Sequence, residues 1–464
     1  MNRVLLIDFG STYTKVTAVD MIEEKILGTA ASYTTVQTDI NDGLSNALKD
    51  LEARIGCVEF DKRFACSSAA GGLKMISCGL VPELTAEAAK MASLGAGAKV
   101  MKVYSYQLNE DDSREIEELK PDIFLLTGGI DGGNKENIIE NARVLASIKS
   151  TFPIIIAGNR SAAAECRRIL EEAGKPVVVC ENVMPRFNVL NIEPAQREIR
   201  RIFLERIISA KGLSEASKLI SGIMMPTPAA VLAAMELLSR GTESEKGFGD
   251  LVGVDVGGAT TDVYSMSTGE PTRAGTVLKG LPEPYAKRTV EGDIGMRYSA
   301  KGVAEAVGIP VIARLSGLSE ERTEELLKLV SEQTDTLPET EDLRALDFAI
   351  ASMAVRVGVT RHAGRVEKVY TPVGEAFVQE GKDLGQVSKV IVTGGSLIHA
   401  DRVDEIAKNA LYDIGEANSL KPLSAEIVLD EKYILSAMGL LTQYAPETAI
   451  KIMKKELKSH GIAK

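Results

Sequence analysis

The sequence predicts an α/β fold made of two related halves. Short apolar, β-rich runs alternate with amphipathic helical patterns along nearly all of the 464 residues, which is typical of sheets layered with helices. One frame, D-x-G-x-x-x-T-x-V, occurs twice, at residues 8–16 and 255–263. Each copy follows an apolar run and continues into a second one, so the repeat indicates an internal duplication.

The first half opens with three predicted strands, at residues 4–8, 13–20 and 25–33, which form a β-meander. Period-2 and period-3.6 hydrophobic patterns then alternate as far as residue 239. The strands expected in this stretch are 63–69, 123–126, 153–157 and 176–180. The expected helices are 42–54, 82–94, 134–148, 162–172, 194–210 and 228–239.

A polar stretch punctuated by glycine separates the halves at residues 240–250, and we interpret it as a hinge region. The expected domains are therefore 1–250, with an α/β insertion, and 251–464, with a small helical insertion around 315–346. The second half begins with a strand at Leu251. It is expected to continue with a long helix at 347–366, a strand at 387–392, and helices at 431–444 and 446–458.

Composition excludes several classes of function. The net charge is −11, which argues against binding to nucleic acid or an anionic membrane. Three His residues exclude most His-built metal sites, and the absence of Trp argues against a base-stacking platform. The five Cys form no C-x-x-C pair, no leader pattern is present, and no apolar run approaches the ~20 residues needed to cross a bilayer. We therefore expect a cytoplasmic protein with reduced thiols.

The repeated frame has the chemistry of a phosphate-binding loop. A glycine turn between two strands exposes successive backbone N–H groups and allows phosphate oxygens to approach closely. Asp8 and Asp255, each at a strand end, are expected to position hydrated Mg²⁺ beside a nucleotide. Lys15 would neutralise phosphate charge during transfer. The predicted nucleotide-binding residues of the two turns are Gly10, Ser11, Thr12, Gly257, Gly258, Ala259, Thr260 and Thr261.

A strand followed by Thr-Gly-Gly also occurs in both halves, at residues 127–129 and 393–395. We interpret these as corresponding turns of the duplication, the first lying away from the bound nucleotide. The alternative for 127–134 is a plain glycine turn that Asn134 caps into a helix. Residues 67–72, with the sequence SSAAGG, are open to two interpretations, a loop facing the cleft or an ordinary turn.

These motifs resemble the actin-like ATPase superfamily, which includes actin, sugar kinases and DnaK-type chaperones. The frames at Asp8 and Asp255 are similar to its two phosphate loops, and residues 391–396 are similar to its adenosine motif. The resemblance implies a duplicated actin-like (ribonuclease H-like) ATPase fold, with two lobes around a nucleotide cleft and insertions. It implies ATP and Mg²⁺ as ligands, and either Asp262 or Asp293 as the acid that orients water. The further nucleotide-binding residues that it implies are Gly292, Gly394, Gly395 and Ser396.

A narrower resemblance is to the GlmL family, the accessory "L" proteins of adenosylcobalamin-dependent glutamate mutase and related aminomutases. It rests on residues 6–16, 67–75, 128–134, 182–185, 226–231 and 291–297. It implies an ATP-driven chaperone that expels damaged cofactor from the mutase subunits, its partners. No cobalamin-binding D-x-H-x-x-G pattern is present, so any action on cobalamin goes through the partner. A small-molecule kinase of the same fold and an ATP-switched assembly or scaffold protein remain alternatives.

Overall fold

The computed structural model describes residues 2–10, 13–33, 40–68, 73–210, 224–372 and 374–463. They form two compact units. The first comprises Met1–Ala234, Gly280–Pro284 and Ser436–Ile452, and the second comprises Met235–Lys279, Tyr285–Leu435 and Met453–Lys464. The units therefore differ from continuous halves meeting at residue 250, because the chain returns to the first unit near its C-terminus.

The first unit contains two sheets and the helices that cover them. Its strands are β1 (Arg3–Phe9), β2 (Tyr13–Asp20), β3 (Lys25–Tyr33), β4 (Lys62–Ser67), β5 (Lys74–Gly79), β6 (Lys99–Ser105), β7 (Ile123–Leu126), β8 (Ile154–Ile156), β9 (Val177–Val179) and β10 (Met224–Pro226). Its helical segments are Ile40–Ile55, the π-helical turn Pro82–Ala86, Glu87–Gly95, Glu110–Leu119, Glu136–Ser147, Arg160–Glu172, Glu193–Ala210, Thr227–Arg240, Leu435–Thr442 and Pro446–Glu456. The C-terminal ends of Thr227–Arg240 and Pro446–Glu456 belong to the second unit.

The first sheet has the strand order β3-β2-β1-β4-β10. β1, β2 and β3 are antiparallel, whereas β4 and β10 run parallel to β1. Leu5, Ile7 and Phe9 of β1 are buried in one cluster with Leu44 and Leu51 of the helix Ile40–Ile55. This packing fixes the register of β1 and so the position of Asp8 at its end.

The second sheet of this unit is entirely parallel, with the order β6-β5-β7-β8-β9. Side chains alternate between two clusters, with Met75 in one and Ile76 in the other, so the sheet is buried on both faces. Two of its strands, β5 and β6, were not expected from the sequence. Residues 127–129 lie directly after β7 of this sheet.

The second unit supplies the remaining strands and helices. Its strands are β11 (Leu251–Val256), β12 (Thr261–Met266), β13 (Thr276–Lys279), β14 (Ala286–Glu291), β15 (Arg365–Thr371), β16 (Gly374–Glu380), β17 (Lys389–Thr393), β18 (Ala425–Leu429) and β19 (Lys458–Ala463). Its α-helices are Ala300–Val307, Ile309–Ser316, Glu320–Glu332, Glu341–His362, Gly395–Ile398 and Val403–Ala407, with 3-10 turns Lys408–Ala410 and Ile414–Glu416.

The main sheet of the second unit repeats the topology of the first sheet. Its order is β14-β12-β11-β17-β18-β19. β11, β12 and β14 are antiparallel, and β17 and β18 run parallel to β11. Three antiparallel strands followed by two parallel strands is the order of the ribonuclease H-like fold. Since it occurs in both units, the predicted duplicated α/β fold is confirmed, and β19 is an added edge strand.

The helix Glu341–His362 is buried against the main sheet of the second unit, and its Ala349 and Ile350 share a core cluster with Val254. The helix predicted at 347–366 ends at His362 because the backbone N–H of Gly364 bonds to the carbonyl of Lys382 at 2.7 Å, just before β15 begins. β15 forms a small sheet with β13 and β16 that was not predicted. No helix in the described ranges is long and apolar enough to cross a membrane.

Candidate functional site

The two repeated frames form hairpins of the same geometry. In the first unit Asp8 of β1 pairs with Lys15 of β2, and in the second unit Asp255 of β11 pairs with Asp262 of β12. Lys15 and Asp262 therefore occupy equivalent positions. Each turn is closed by one glycine N–H, from Gly10 to the carbonyl of Tyr13 at 3.1 Å and from Gly257 to the carbonyl of Thr260 at 2.9 Å. Ser11 and Thr12 lie outside the described residues.

Asp8 is 3% exposed, and its carboxylate has several partners. The Thr227 hydroxyl donates to Oδ1 at 2.6 Å, and the Ser436 hydroxyl donates to Oδ2 at 2.9 Å. Lys15 Nζ lies 3.9 Å from Oδ2, and Cys66 Sγ lies 3.5 Å from Oδ1. Burial raises the pKa of the Cys66 thiol well above its usual value, and the negative charge of Asp8 raises it further. The thiol is therefore neutral at physiological pH.

The turn of the second hairpin is hydrogen-bonded to residues 296 and 297 through its backbone carbonyls. The carbonyls of Gly257 and Gly258 accept hydrogen bonds from the backbone N–H groups of Met296 and Arg297, at 3.0 and 2.8 Å. Within the described residues, the backbone N–H groups of 258–260 have no acceptor. Three successive N–H groups on a half-buried to exposed turn form a concave site suited to an anion.

Gly292 lies beside this turn. The Ser299 hydroxyl donates to the carbonyl of Ala259 at 2.7 Å and lies 3.2 Å from the carbonyl of Gly292. A Cβ atom at Gly295 would lie 2.8 Å from the carbonyl oxygen of Gly258, so this close approach depends on glycine. The structure thus brings the predicted phosphate turn of the second unit together with Gly292, another predicted nucleotide-binding residue.

Two of the predicted site residues have partners within the fold. The hydroxyl of Thr261 is buried and donates to the carbonyl of Ile294 at 3.1 Å. Asp262 is buried and forms an ion pair with Arg288, with Nη2 2.6 Å from Oδ1. Burial alone would lower the pKa of Arg288, but the charge of Asp262 reverses the effect and raises it. The hydroxyl of Thr260 lies 3.3 Å from the other oxygen of Asp262.

Asp293 has a different environment, because its side chain is 56% exposed. Arg361 Nη1 donates to its two oxygens at 2.9 and 3.0 Å and to Glu291 Oε2 at 2.8 Å. The carboxylate is therefore oriented by Arg361 but remains accessible to solvent. Of the two acids proposed to orient water, Asp293 is the accessible one.

The predicted adenosine motif follows β17, the strand next to β11. Thr393 pairs with Asp255 in this parallel ladder. Gly394 has φ +109°, and a Cβ atom there would lie 2.4 Å from the carbonyl oxygen of Val256, so only glycine permits this approach. Gly395 is exposed and Ser396 is half-buried. Asp255, the phosphate turn and the adenosine motif thus lie at one end of the same sheet.

The prediction that residues 127–129 are the counterpart of this motif in the first unit was wrong. β4 occupies the place that β17 has in the second unit, since β4 pairs in parallel with β1 and aligns Cys66 with Asp8. The corresponding turn is therefore 67–72, of which residues 69–72 lie outside the described residues. The turn at 127–134 belongs to the parallel sheet instead. There Asn159 donates to the carbonyls of Gly133 and Asn134 at 3.1 and 3.0 Å.

Three residues with contacts in these clusters, Thr227, Ser436 and Arg288, were not predicted from the sequence. Thr227 lies in the stretch 226–231, whose only signal in the sequence is the resemblance to the GlmL family. Ser436 is separated from Asp8 by 428 residues, and no local pattern marks it. Among the described residues, no group of three or more His, Cys, Asp or Glu could hold a metal ion. A Mg²⁺ site here would therefore depend on water and phosphate oxygens as well as on carboxylates.

Comparison with solved structures gives only distant similarities. The diol dehydratase-reactivating factor in its nucleotide-free form is 12% identical, with 96% of this chain and 100% of that chain covered and a TM-score of 0.36. The activator of 2-hydroxyisocaproyl-CoA dehydratase from Clostridium difficile with bound ADPNP is 11% identical, with 98% of each chain covered and a TM-score of 0.34. Scores this low support no inference about function.

Sequence comparison is far more specific. Protein MutL of Clostridium tetanomorphum is 50% identical over 459 residues, which cover 98% of this chain and 99% of that protein. The family described as MutL protein matches residues 4–457. The match includes both hairpins, the parallel-sheet insertion and both main sheets apart from Arg3 of β1 and the edge strand β19. The chain belongs to the MutL protein family.

Proposed function

We propose that this protein is an ATP-hydrolysing chaperone that reactivates an adenosylcobalamin-dependent aminomutase of the glutamate mutase type by driving the exchange of damaged cofactor. The observation that carries the proposal is the acidic hairpin repeated in register in two ribonuclease H-like sheets. Membership of the MutL protein family supports it, together with the resemblance to accessory proteins of glutamate mutase. A kinase or an assembly protein of the same fold would share the hairpins but not this family.

Each hairpin is proposed to contribute to nucleotide binding. The free N–H groups of 258–260 suit phosphate oxygens, and the exposed Gly395 and half-buried Ser396 suit the ribose and base. Asp8 and Asp255 would hold Mg²⁺ through water, since both are carboxylates at strand ends beside a glycine turn. When bound, Mg²⁺ supplies positive charge that offsets the repulsion between these carboxylates and the phosphates. Lys15, half-buried and near Asp8, adds a fixed positive charge.

Hydrolysis at such a site needs little more than positioning and electrostatics. A water molecule attacks the γ-phosphorus, the bond to the leaving oxygen of ADP breaks, and ADP and inorganic phosphate form. We assign the orientation of this water to Asp293, because it is accessible and fixed by Arg361. Asp262 is buried against Arg288, which favours a structural role.

The proposed partners are mutase subunits. The sequence has no D-x-H-x-x-G pattern for cobalamin, so the protein would act on the cofactor through the mutase. The five cysteines are all free, which is compatible with the proposed cytoplasmic location. Neither nucleic acid nor a membrane surface is proposed as a partner, in keeping with the net charge of −11.

ATP hydrolysis by the purified protein, with and without a candidate aminomutase, tests the ATPase assignment. We expect Mg²⁺-dependent release of phosphate that increases when cofactor-damaged mutase is added. Phosphorylation of a metabolite in proportion to ATP consumed would instead favour the kinase. Sedimentable polymers that form with ATP would favour the assembly protein.

A further inference from the structure

We propose that Thr227 and Ser436 are positioning residues that fix the Asp8 carboxylate for Mg²⁺ binding. This inference deepens the proposed function, because it assigns two further residues to the same site. Thr227 donates to one carboxylate oxygen and Ser436 to the other. Together they prevent the carboxylate from turning about its last side-chain bond.

Asp8 and its two hydroxyl donors form a hydrogen-bonded cluster. The 2.6 Å from the Thr227 hydroxyl lies in the range of charge-assisted O–H···O hydrogen bonds, and the 2.9 Å from the Ser436 hydroxyl is an ordinary O–H···O distance. Asp8 is 3% exposed and Ser436 is 5% exposed, so bulk water competes little with these bonds. A buried carboxylate without such donors would be strongly destabilised. The two hydroxyls therefore fix the direction of the Asp8 carboxylate.

Both donors come from segments that connect the two units. Thr227 begins the helix Thr227–Arg240, in which the chain leaves the first unit, and Ser436 is the first residue after the chain returns. Within the first unit the two helices are in close contact, since a Cβ atom at Gly439 would lie 1.8 Å from the carbonyl oxygen of Ala230. This contact fixes the spacing of the hydroxyls on either side of Asp8.

The arrangement is not a general property of the fold. Thr227 is the first residue after β10, and the corresponding residue after β18 in the second unit is Asp430. The side-chain carboxylate of Asp430 accepts hydrogen bonds, from the hydroxyl of Thr393 at 3.2 Å and from the backbone N–H of Ile434 at 2.9 Å, and offers no hydroxyl donor. The hydroxyl at 227 is therefore particular to the first unit, where it serves Asp8.

Titration of hydrolysis with Mg²⁺ at saturating ATP tests the proposal. The T227V variant keeps the shape of the side chain but removes the donor. We expect it to raise the Mg²⁺ concentration for half-maximal hydrolysis about tenfold, the value of one hydrogen bond to a charged group. S436A should shift it in the same direction, and T227S, which restores the donor, should return it close to wild type. Thr442, whose hydroxyl bonds only to the carbonyl of Gly439 on the same helix as Ser436, provides the control T442V.

Wild-type Mg²⁺ dependence in both T227V and S436A would overturn the proposal. A double-mutant cycle on unfolding, with T227V, D8A and the double variant, measures the contact without any reference to ATP, because each single substitution removes one partner of the hydrogen bond. If the cycle gives no coupling, the assignment of Thr227 fails, whatever the activity. If the cycle gives coupling while the wild-type protein hydrolyses no ATP, the proposed ATPase function is rejected, but the hydrogen bond between Thr227 and Asp8 is confirmed.

Discussion

The D8N variant is expected to hydrolyse ATP at least about 100-fold more slowly than wild type, a loss typical of removing one electrostatic contact of a phosphoryl-transfer site. Asparagine has the size of aspartate and can still accept the hydrogen bond from Thr227. The fold should therefore survive while the charge that attracts Mg²⁺ is lost. D255N should behave in the same way, because Asp255 has the equivalent place in the second hairpin.

Phosphate release and urea unfolding, measured on the same preparations, separate activity from stability. D50N is a matched control, since Asp50 is exposed on the helix Ile40–Ile55 that packs against β1. It removes one negative charge from the same unit and should leave hydrolysis unchanged. Wild-type hydrolysis by either D8N or D255N would show that the hairpin concerned is dispensable and would contradict the role proposed for it.

The R288M variant is expected to lose about 3–5 kcal/mol of unfolding free energy, the usual cost of leaving one partner of a buried ion pair uncompensated. Arg288 and Asp262 are both buried and 2.6 Å apart, so methionine would leave a negative charge without its counter-ion. Urea unfolding followed by circular dichroism measures the change. The double variant D262N/R288M removes both charges and should recover most of the lost stability.

The same variants distinguish the two acids near the second hairpin. With Asp262 in a structural role, D262N/R288M should hydrolyse ATP, whereas D293N should be inactive but stable. The reverse pattern, an inactive double variant and an active D293N, would assign the water-orienting role to Asp262. Comparable stabilities of D293N and wild type, measured by the same unfolding assay, make this comparison valid.

The hairpins could be predicted from the sequence because their signal is local. Apolar strands, a glycine turn and the repeated Asp define β1 with β2 and β11 with β12. The observed bounds of β1 and β2 lie within one residue of the prediction, and β11 begins at Leu251 as predicted. The register that places Lys15 opposite Asp8 follows directly from the turn length. The order β3-β2-β1-β4-β10 was implied only by the resemblance, because parallel pairing joins strands far apart in the chain.

Other features depend on contacts that no local pattern encodes. β5 was not predicted from the sequence, in which only the preceding residues 67–72 were interpreted, as a loop or a turn. The Thr-Gly-Gly turns at 127 and 393 look alike in sequence but follow strands of different sheets. Asp8 receives hydroxyls from residues 219 and 428 positions away, which only the tertiary structure brings together.

Recovery of mutase activity is the most direct test of the proposed chaperone. A candidate glutamate mutase-type enzyme is first inactivated with cyanocobalamin and then incubated with the protein, ATP, Mg²⁺ and free adenosylcobalamin. We expect activity to return only when all four are present, and not to return with D8N in place of wild type. Full recovery without ATP, or no recovery under any of these conditions while the protein hydrolyses ATP, would contradict the proposed function.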